Sequence, residues 1–367
     1  MAQAPARAAP VTDVACVRCH SAPKIQLATS RHGLAAGPGL LGQLPTRGPH
    51  VGSGLACLLC HAPGPDQAPF VSVAALPADG GPGATPTEAA SAAIAVAAAR
   101  PNPHFDPHAE ALGVRCTACH LQGGRVVGPR ARSAPHAVAR GAAFDGVTLC
   151  AACHQFGAAS AVNGKPLENT VAEYRSSSWA ASGASCVSCH MPFGKHLFQG
   201  IHTPSLVAAS VEVTWSETGT GQGTLSLTNT AVGHDFPTYA TPRVVMQVQP
   251  EDARGAPVGE KATLILGRAV HFEGGAWREA FDTRVPPGQT RALHCALKLS
   301  PSAVRLHATV RVMPDAAYVP LYRSLAARAL PSDRARMIRQ ALARAGSSAY
   351  TLFDAVRPAG GRDGGAR

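Results

Sequence analysis

The sequence predicts an α + β multidomain protein: a loop- and helix-rich region with little regular structure, then an antiparallel β-sandwich, then a C-terminal helix. Three observations predict this order. Gly, Pro and Ala dominate the first 200 residues, short alternating segments follow residue 205, and Ser332–Ala345 has helical periodicity. The predicted boundaries are 1–204 (with a Pro/Gly/Ala-rich insertion at 63–100), 205–315 (β-sandwich), 316–357 (C-terminal helical segment) and 358–367 (disordered tail).

The sandwich prediction rests on seven segments in which polar and apolar residues alternate. Such alternation places one face of each strand toward a core and the other toward water. Gly- and Pro-containing turns separate the segments, as in an antiparallel sandwich. The segments are 211–215, 223–229, 243–248, 262–266, 278–285, 291–299 and 304–312.

Ten of the eleven cysteines belong to five copies of the motif Cys-x-x-Cys-His. The cysteines are Cys16, Cys19, Cys57, Cys60, Cys116, Cys119, Cys150, Cys153, Cys186 and Cys189, and the histidines are His20, His61, His120, His154 and His190. Two thiols at this spacing form thioethers to the vinyl groups of one haem, and the adjacent histidine binds its iron. A zinc ribbon or a thioredoxin-like dithiol accounts for one such cysteine pair but not for five following histidines. The sequence therefore predicts five covalently bound haem c groups in the first region.

Composition and charge agree with a multihaem domain. Aromatic residues make up 5% and charged residues 15% of the chain, so side chains alone offer little to fill a core, whereas five porphyrins would fill it. The net charge is +11. The ten propionates of five haems reduce it to roughly +1, so the basic excess predicts internal neutralisation and no nucleic-acid partner.

Each low-spin haem needs a second axial ligand. Eleven histidines lie outside the motifs, whereas Met191 adjoins a proximal histidine and Met246 and Met313 lie in or beside predicted strands. Bis-histidine haems of low potential are therefore expected. Proximity in sequence favours the distal candidates His32, His50, His108, His136 and His202, with His104, His196 and His234 as alternates. For each of them an ordinary surface or core histidine is the competing interpretation.

These motifs and their surroundings resemble the multihaem cytochrome family of nitrification-type tetrahaem carriers, hydroxylamine oxidoreductases and pentahaem nitrite reductases. The resemblance is best over residues 12–250 and includes Gly233-His234-Asp235-Phe236-Pro237-Thr238 at the start of the β-domain. All five proximal positions are histidine, whereas the nitrite reductases carry lysine at one. Five haems also differ from the eight of the hydroxylamine oxidoreductases, so catalytic residues of these enzymes are not carried over.

The expected function is electron transfer between redox protein partners, such as other cytochromes or a membrane oxidoreductase complex. One alternative is an oxidoreductase with one open haem that acts on a small nitrogen or sulfur compound. Another is a docking role for the sandwich, compatible with a homo-oligomer or filament. Haem is attached in this way outside the cytoplasm, so we expect a periplasmic or extracellular protein, soluble or peripheral, although the numbered chain shows no signal peptide.

Overall fold

The computed structural model describes residues 12–43, 60–63, 113–158, 161–273 and 276–360. Up to residue 210, these residues form short helices joined by loops and small hairpins. The helices are α1 (Asp13–Cys19), α2 (Ser21–Thr29), α3 (Pro38–Leu41), α4 (Cys116–His120), α5 (Thr148–His154), α6 (Thr170–Arg175), α7 (Ser178–Ala181), α8 (Cys186–His190) and α9 (Pro204–Ser210). The strands are β1 (Leu121–Gln122), β2 (Arg125–Gly128), β3 (Ala139–Arg140), β4 (Ala161–Val162) and β5 (Lys165–Pro166).

Local sequence sets the ends of these short helices. The Thr12 side chain caps α1 by accepting from the Ala15 N–H, and proline opens both α3 and α9. A capping box between Ser185 and Ser188 starts α8. The buried apolar side chains of this region are small and scattered, namely Ala36, Ala118, Leu121, Val127, Val162, Val171 and Val207.

A β-sandwich follows from residue 211. Its strands are β6 (Val211–Gly219), β7 (Gln222–Asn229), β8 (Arg243–Glu251), β9 (Ala262–Leu266), β10 (Arg268–Glu273), β11 (Ala276–Asp282), β12 (Thr290–Ala296) and β13 (Arg305–Met313). One sheet has the order β12-β7-β6, and β10 pairs with β11 as a separate hairpin. These pairings are antiparallel, and the burial of β7 and β13 alternates along the strand as the sequence predicts.

The second sheet is completed by the end of the chain. After helices α10 (Tyr318–Ala326) and α11 (Ser332–Gly346), strand β14 (Tyr350–Pro358) pairs with β13, giving the order β14-β13-β8-β9. The core between the two sheets includes Leu225, Leu227, Met246 and Val310, all fully buried.

The C-terminal helix connects the sandwich to the first region. Ile338 of α11 is fully buried and lies against Gly42, and the Arg334 guanidinium donates to the carbonyls of Gly42 and Gln43 at 3.0 and 3.1 Å. Within the described ranges, no helix has the length and apolarity needed to cross a membrane.

The predicted α + β architecture is confirmed, and α11 lies within one residue of the predicted helix. The seven predicted segments correspond to β6, β7, β8, β9, β11, β12 and β13, with ends that differ by up to four residues. Two strands of the sandwich were not predicted. β10 follows β9 after a single residue, Gly267, and β14 lies where the sequence predicted the helical segment and the tail.

Candidate metal centres

Each described Cys-x-x-Cys-His motif lies on a short helix that ends at or just before its histidine. α4, α5 and α8 end at His120, His154 and His190, whereas His20 is the C-terminal cap of α1. Residues three and four apart share one face of a helix, so the two thiols and the imidazole of a motif face the same way. This arrangement suits a flat group bonded at two points and ligated from one side.

Four proximal histidines each face a second histidine at nearly the same separation. Ring centroids are 6.1 Å apart for His20 and His136, 6.0 Å for His32 and His154, 6.1 Å for His120 and His196, and 6.2 Å for His190 and His234. An imidazole nitrogen lies about 2.0–2.1 Å from a bound metal and its ring centroid roughly 1 Å further, so imidazoles on opposite sides of one metal have centroids roughly 6 Å apart. All four pairs match this separation.

The planes of the paired rings differ in relative orientation. They are 9° apart for His190 and His234, 45° for His120 and His196, 78° for His20 and His136, and 86° for His32 and His154. The four histidine pairs are therefore distinguishable by the angle between their ring planes.

Backbone carbonyls fix the orientation of several of these rings through Nδ1. The Nδ1 atoms of His61, His120 and His190 lie 2.8, 2.9 and 2.5 Å from the carbonyl oxygens of Ala35, Val127 and Gln199. A ring that donates from Nδ1 keeps the lone pair on Nε2, and this second-shell contact is typical of metal-binding histidines. The three proximal rings are thus oriented to ligate through Nε2.

Burial favours the neutral form of five of these histidines. It lowers the pKa of His32 to about 3 and that of His154 to about 4, with further lowering by neighbouring histidines. Burial likewise lowers the pKa of His61, His196 and His234 below the usual value. A neutral imidazole is the form that binds a metal.

These histidines form pairs, not larger ligand clusters. No group of three or more His, Cys, Asp or Glu side chains suited to a metal ion occurs among the described residues. A bare zinc or copper ion needs three or four protein ligands. Two imidazoles suffice for an iron already held by four porphyrin nitrogens, so the residues fit haem better than a free metal ion.

The pairing differs from the order of the sequence. His32 faces His154 although it follows the first motif, and His136 faces His20 although it precedes the fourth. Two alternates, His196 and His234, occupy the positions opposite His120 and His190. His202 lies elsewhere, with Nε2 3.1 Å from both carboxylate oxygens of Asp315.

The remaining predictions fall on the second motif. Cys60 and His61 are described, but Cys57 and the candidates His50, His104 and His108 lie outside the described residues, as does nearly all of the 63–100 insertion. Among described residues, His61 has no histidine ring opposite it.

The motifs lie close together in space. Cys150 lies beside Cys186 and Cys153 lies beside Cys60, so the fourth motif is next to the fifth and the second. Asp13 joins the first motif to the third, because its carboxylate accepts from the Thr117 N–H and hydroxyl at 3.0 and 2.9 Å and pairs with Arg115 at 3.2 Å.

Comparison with known proteins agrees with this geometry. No protein-family model and no curated protein sequence matches the chain. The crystal structure of a penta-heme cytochrome c552 from Thermochromatium tepidum is similar, with a TM-score of 0.60 over 95% of this chain and 100% of that chain, at 16% sequence identity. This chain has the fold of that cytochrome. At this identity the likeness establishes the fold, whereas the individual sites rest on the residues of this chain.

The fold also brings polar residues to these centres that the sequence did not predict. Glu173 and Arg284 form a buried ion pair beside His234, although they are 111 residues apart. The buried Oε2 of Glu168 has no hydrogen-bond partner among described residues, and burial raises the pKa of this carboxyl to about 8. Nothing in the sequence around these residues distinguishes them from ordinary surface charges.

Proposed function

We propose that this protein is an electron carrier with five covalently bound, bis-histidine haems. The observation that carries the proposal is the set of four histidine pairs with centroids 6.0–6.2 Å apart. In each pair a proximal motif histidine faces a histidine that occupies the opposite coordination position. A site closed on both sides leaves no position at which a substrate could bind the iron.

When bound, haem supplies a one-electron Fe(III)/Fe(II) couple. The chain would hold each group by two thioethers and supply its imidazole ligands, and backbone carbonyls orient the proximal rings of His61, His120 and His190. The fourth motif lies next to the second and the fifth, so the proposed centres are close together. Two neutral imidazoles per site favour a low potential compared with His/Met ligation.

For the four described pairs, the proposed ligand assignments differ from those based on proximity in sequence. We assign His136 to the first haem, His196 to the third, His32 to the fourth and His234 to the fifth. His202 is assigned to Asp315 and not to an iron. The second haem takes its distal ligand from His50, His104 or His108.

The proposed setting is the periplasm or the extracellular space, because thioether attachment of haem occurs outside the cytoplasm. The proposed partners are other redox proteins.

Carbon monoxide binding and turnover test the proposal against the enzyme alternative. An electron carrier with five closed sites should be reduced and reoxidised reversibly, bind no carbon monoxide when reduced, and leave nitrite and hydroxylamine unchanged. Carbon monoxide binding by one haem, with turnover of either compound, would support an oxidoreductase. The open site would then be the second haem, for which the described residues provide no distal histidine.

A further inference from the structure

A buried arginine lies beside the loop that carries His234. Arg284, just after β11, is 3% exposed, and its guanidinium donates to Glu173 Oε1 at 2.6 Å and to the two oxygens of Asp282 at 2.8 and 2.9 Å. It also pairs with Asp235, the residue after His234, at 3.4 Å. A guanidinium offers five donors in a planar fork, which suits three carboxylates at once.

The same loop is held at further points. The Asn229 amide donates to the carbonyls of His234 and Val285, both at 3.0 Å, and Phe236 exchanges two backbone hydrogen bonds with Val285 at 2.9 and 2.8 Å. The Thr238 hydroxyl donates to Glu173 Oε2 at 3.1 Å. The backbone on both sides of His234 is therefore fixed, and Glu173 uses both of its oxygens in this contact.

The ion pair connects the two regions of the molecule. Glu173 is in α6 of the first region, whereas Arg284 and His234 belong to the sandwich. His190, opposite His234, belongs to α8 of the first region. Small movements of the sandwich would therefore change the distance between the His190 and His234 rings. The Glu173–Arg284 ion pair opposes such movements.

We infer that Arg284 and Glu173 are positioning residues for the fifth haem: their pair holds His234 opposite His190 and sets the local charge. This inference rests on the proposed function. Stability alone is a weak reason for such a pair, because the desolvation of two buried charges offsets most of their attraction. Both charges lie within electrostatic reach of the His234 ring.

If the two residues act through their charges, removing each charge should shift the haem midpoint potential in a defined direction. A role in packing alone predicts no such direction. Oxidised haem iron carries one more positive charge than reduced iron, so a nearby cation favours the reduced state and a nearby anion favours the oxidised state. Arg284→Gln should therefore lower the midpoint potential of the fifth haem, and Glu173→Gln should raise it. The double variant E173Q/R284Q should return the potential toward that of the parent.

The experiment is a potentiometric titration of the full holoprotein, followed by electron paramagnetic resonance. Ligand planes 9° apart should give the fifth haem a rhombic low-spin signal that separates it from the haems with nearly perpendicular planes. We expect the midpoint potential read from this signal to shift in opposite directions in the two single variants. The potentials of the other haems should stay the same. In Arg284→Gln we also expect part of the signal to convert to high spin, and Arg284→Lys should restore low spin.

Arg268→Gln is the matched control. Arg268 is also fully buried and also joins the two regions. It pairs with Glu279 of the sandwich at 2.8 Å and donates to the carbonyls of Val162, Lys165 and Pro166 in the first region. None of these hydrogen bonds involves the His234 loop. Its removal should leave the potential of the fifth haem unchanged.

Unchanged potentials, shifts of the same sign, or an equal effect of Arg268→Gln would overturn the inference. If Arg284→Gln does not accumulate, Glu173→Gln decides alone: a raised potential supports the inference and an unchanged one refutes it. If the parent lacks five low-spin haems, the proposed function fails instead, so the two failures are distinguishable.

Discussion

The first region and the sandwich are stabilised in different ways. In the sandwich, one continuous cluster of apolar side chains, including Leu225, Leu227 and Val310, is completely buried between two sheets. In the first region, the described helices are four to nine residues long and few apolar side chains are buried. Isolated helices of this length are marginal in water, because nucleation costs more than so few hydrogen bonds return.

The difference shows what the sequence of each region encodes. The sandwich encodes its own core through alternating strands. In the proposed function, the first region instead encodes attachment points and ligands for haem groups that supply the missing apolar surface. The first region should therefore depend on haem for its order, and the sandwich should not.

Removal of one haem should disorder the first region selectively. In the full chain, replacement of both Cys150 and Cys153 with Ala removes the covalent attachment of the fourth haem, whose motif contacts the second and the fifth. We expect the loss of one haem by pyridine haemochrome and rapid proteolysis of residues 12–204, while the sandwich stays resistant. Cys295→Ala, at a buried cysteine outside the motifs, should keep five haems and normal resistance. Equal proteolysis of both regions in the double variant would contradict the contrast.

Removal of one distal ligand should change one haem only. His196→Ala opens the position opposite His120, so one haem in five should become high spin and bind carbon monoxide when reduced. His202→Ala is the matched comparison: it removes a hydrogen bond to Asp315, worth about 1 kcal/mol, and should leave five low-spin haems. The reverse result would restore His202 as a ligand.

A cavity in the sandwich should lower stability without affecting any haem. Leu227→Ala removes a fully buried side chain and should cost about 2–5 kcal/mol. Hydrogen exchange in peptides from β7 and β8 should then become faster while the haem spectrum stays the same. Val356→Ala, at a residue 45% exposed, should change the free energy of unfolding by less than about 0.5 kcal/mol. A change in haem spin state with Leu227→Ala would mean that the two regions are not independent.

The buried carboxyl of Glu168 should make stability depend on pH. Burial, with a contribution from the charge of Glu173, raises its folded pKa to about 8 from 4.5. Below pH 4.5 the group is protonated in both states, so its stability contribution is complete there and is lost as pH rises through about 8. The free energy of unfolding of the parent should therefore fall relative to that of Glu168→Gln between about pH 5 and 8, by at most about 1.4 kcal/mol per pH unit, and thermal melts at several pH values measure it. A constant difference across this range would show that Glu168 ionises normally.

Sequence predicts local features of this protein well. Alternation identified seven strands, because each strand face has its own environment, and helical periodicity identified α11. The five haem motifs were evident because thioether chemistry requires fixed spacing. β14 was missed because its partner β13 is separated from it by two helices, and burial within it does not alternate regularly.

The distal ligands could not be assigned from sequence because proximity along the chain does not determine what lies across a ring. His32 is twelve residues from His20 and yet faces His154, since helix α2 carries it away from the first motif. His234 enters its centre from the sandwich, at a position set by Asn229, Val285 and Arg284. These contacts depend on strand register, which a single sequence does not specify.

The central claim, five bis-histidine haems with the pairings given above, is tested most directly by electron paramagnetic resonance of the oxidised protein, with haem stoichiometry measured on the same sample. Nearly parallel ligand planes split the iron d orbitals and give rhombic signals, whereas perpendicular planes leave them close in energy and give signals with one large g value. We predict five haems, all low spin, with a rhombic signal from the pair 9° apart and large-g signals from the pairs 78° and 86° apart. A high-spin signal equal to one haem, or fewer than five haems per chain, would contradict it.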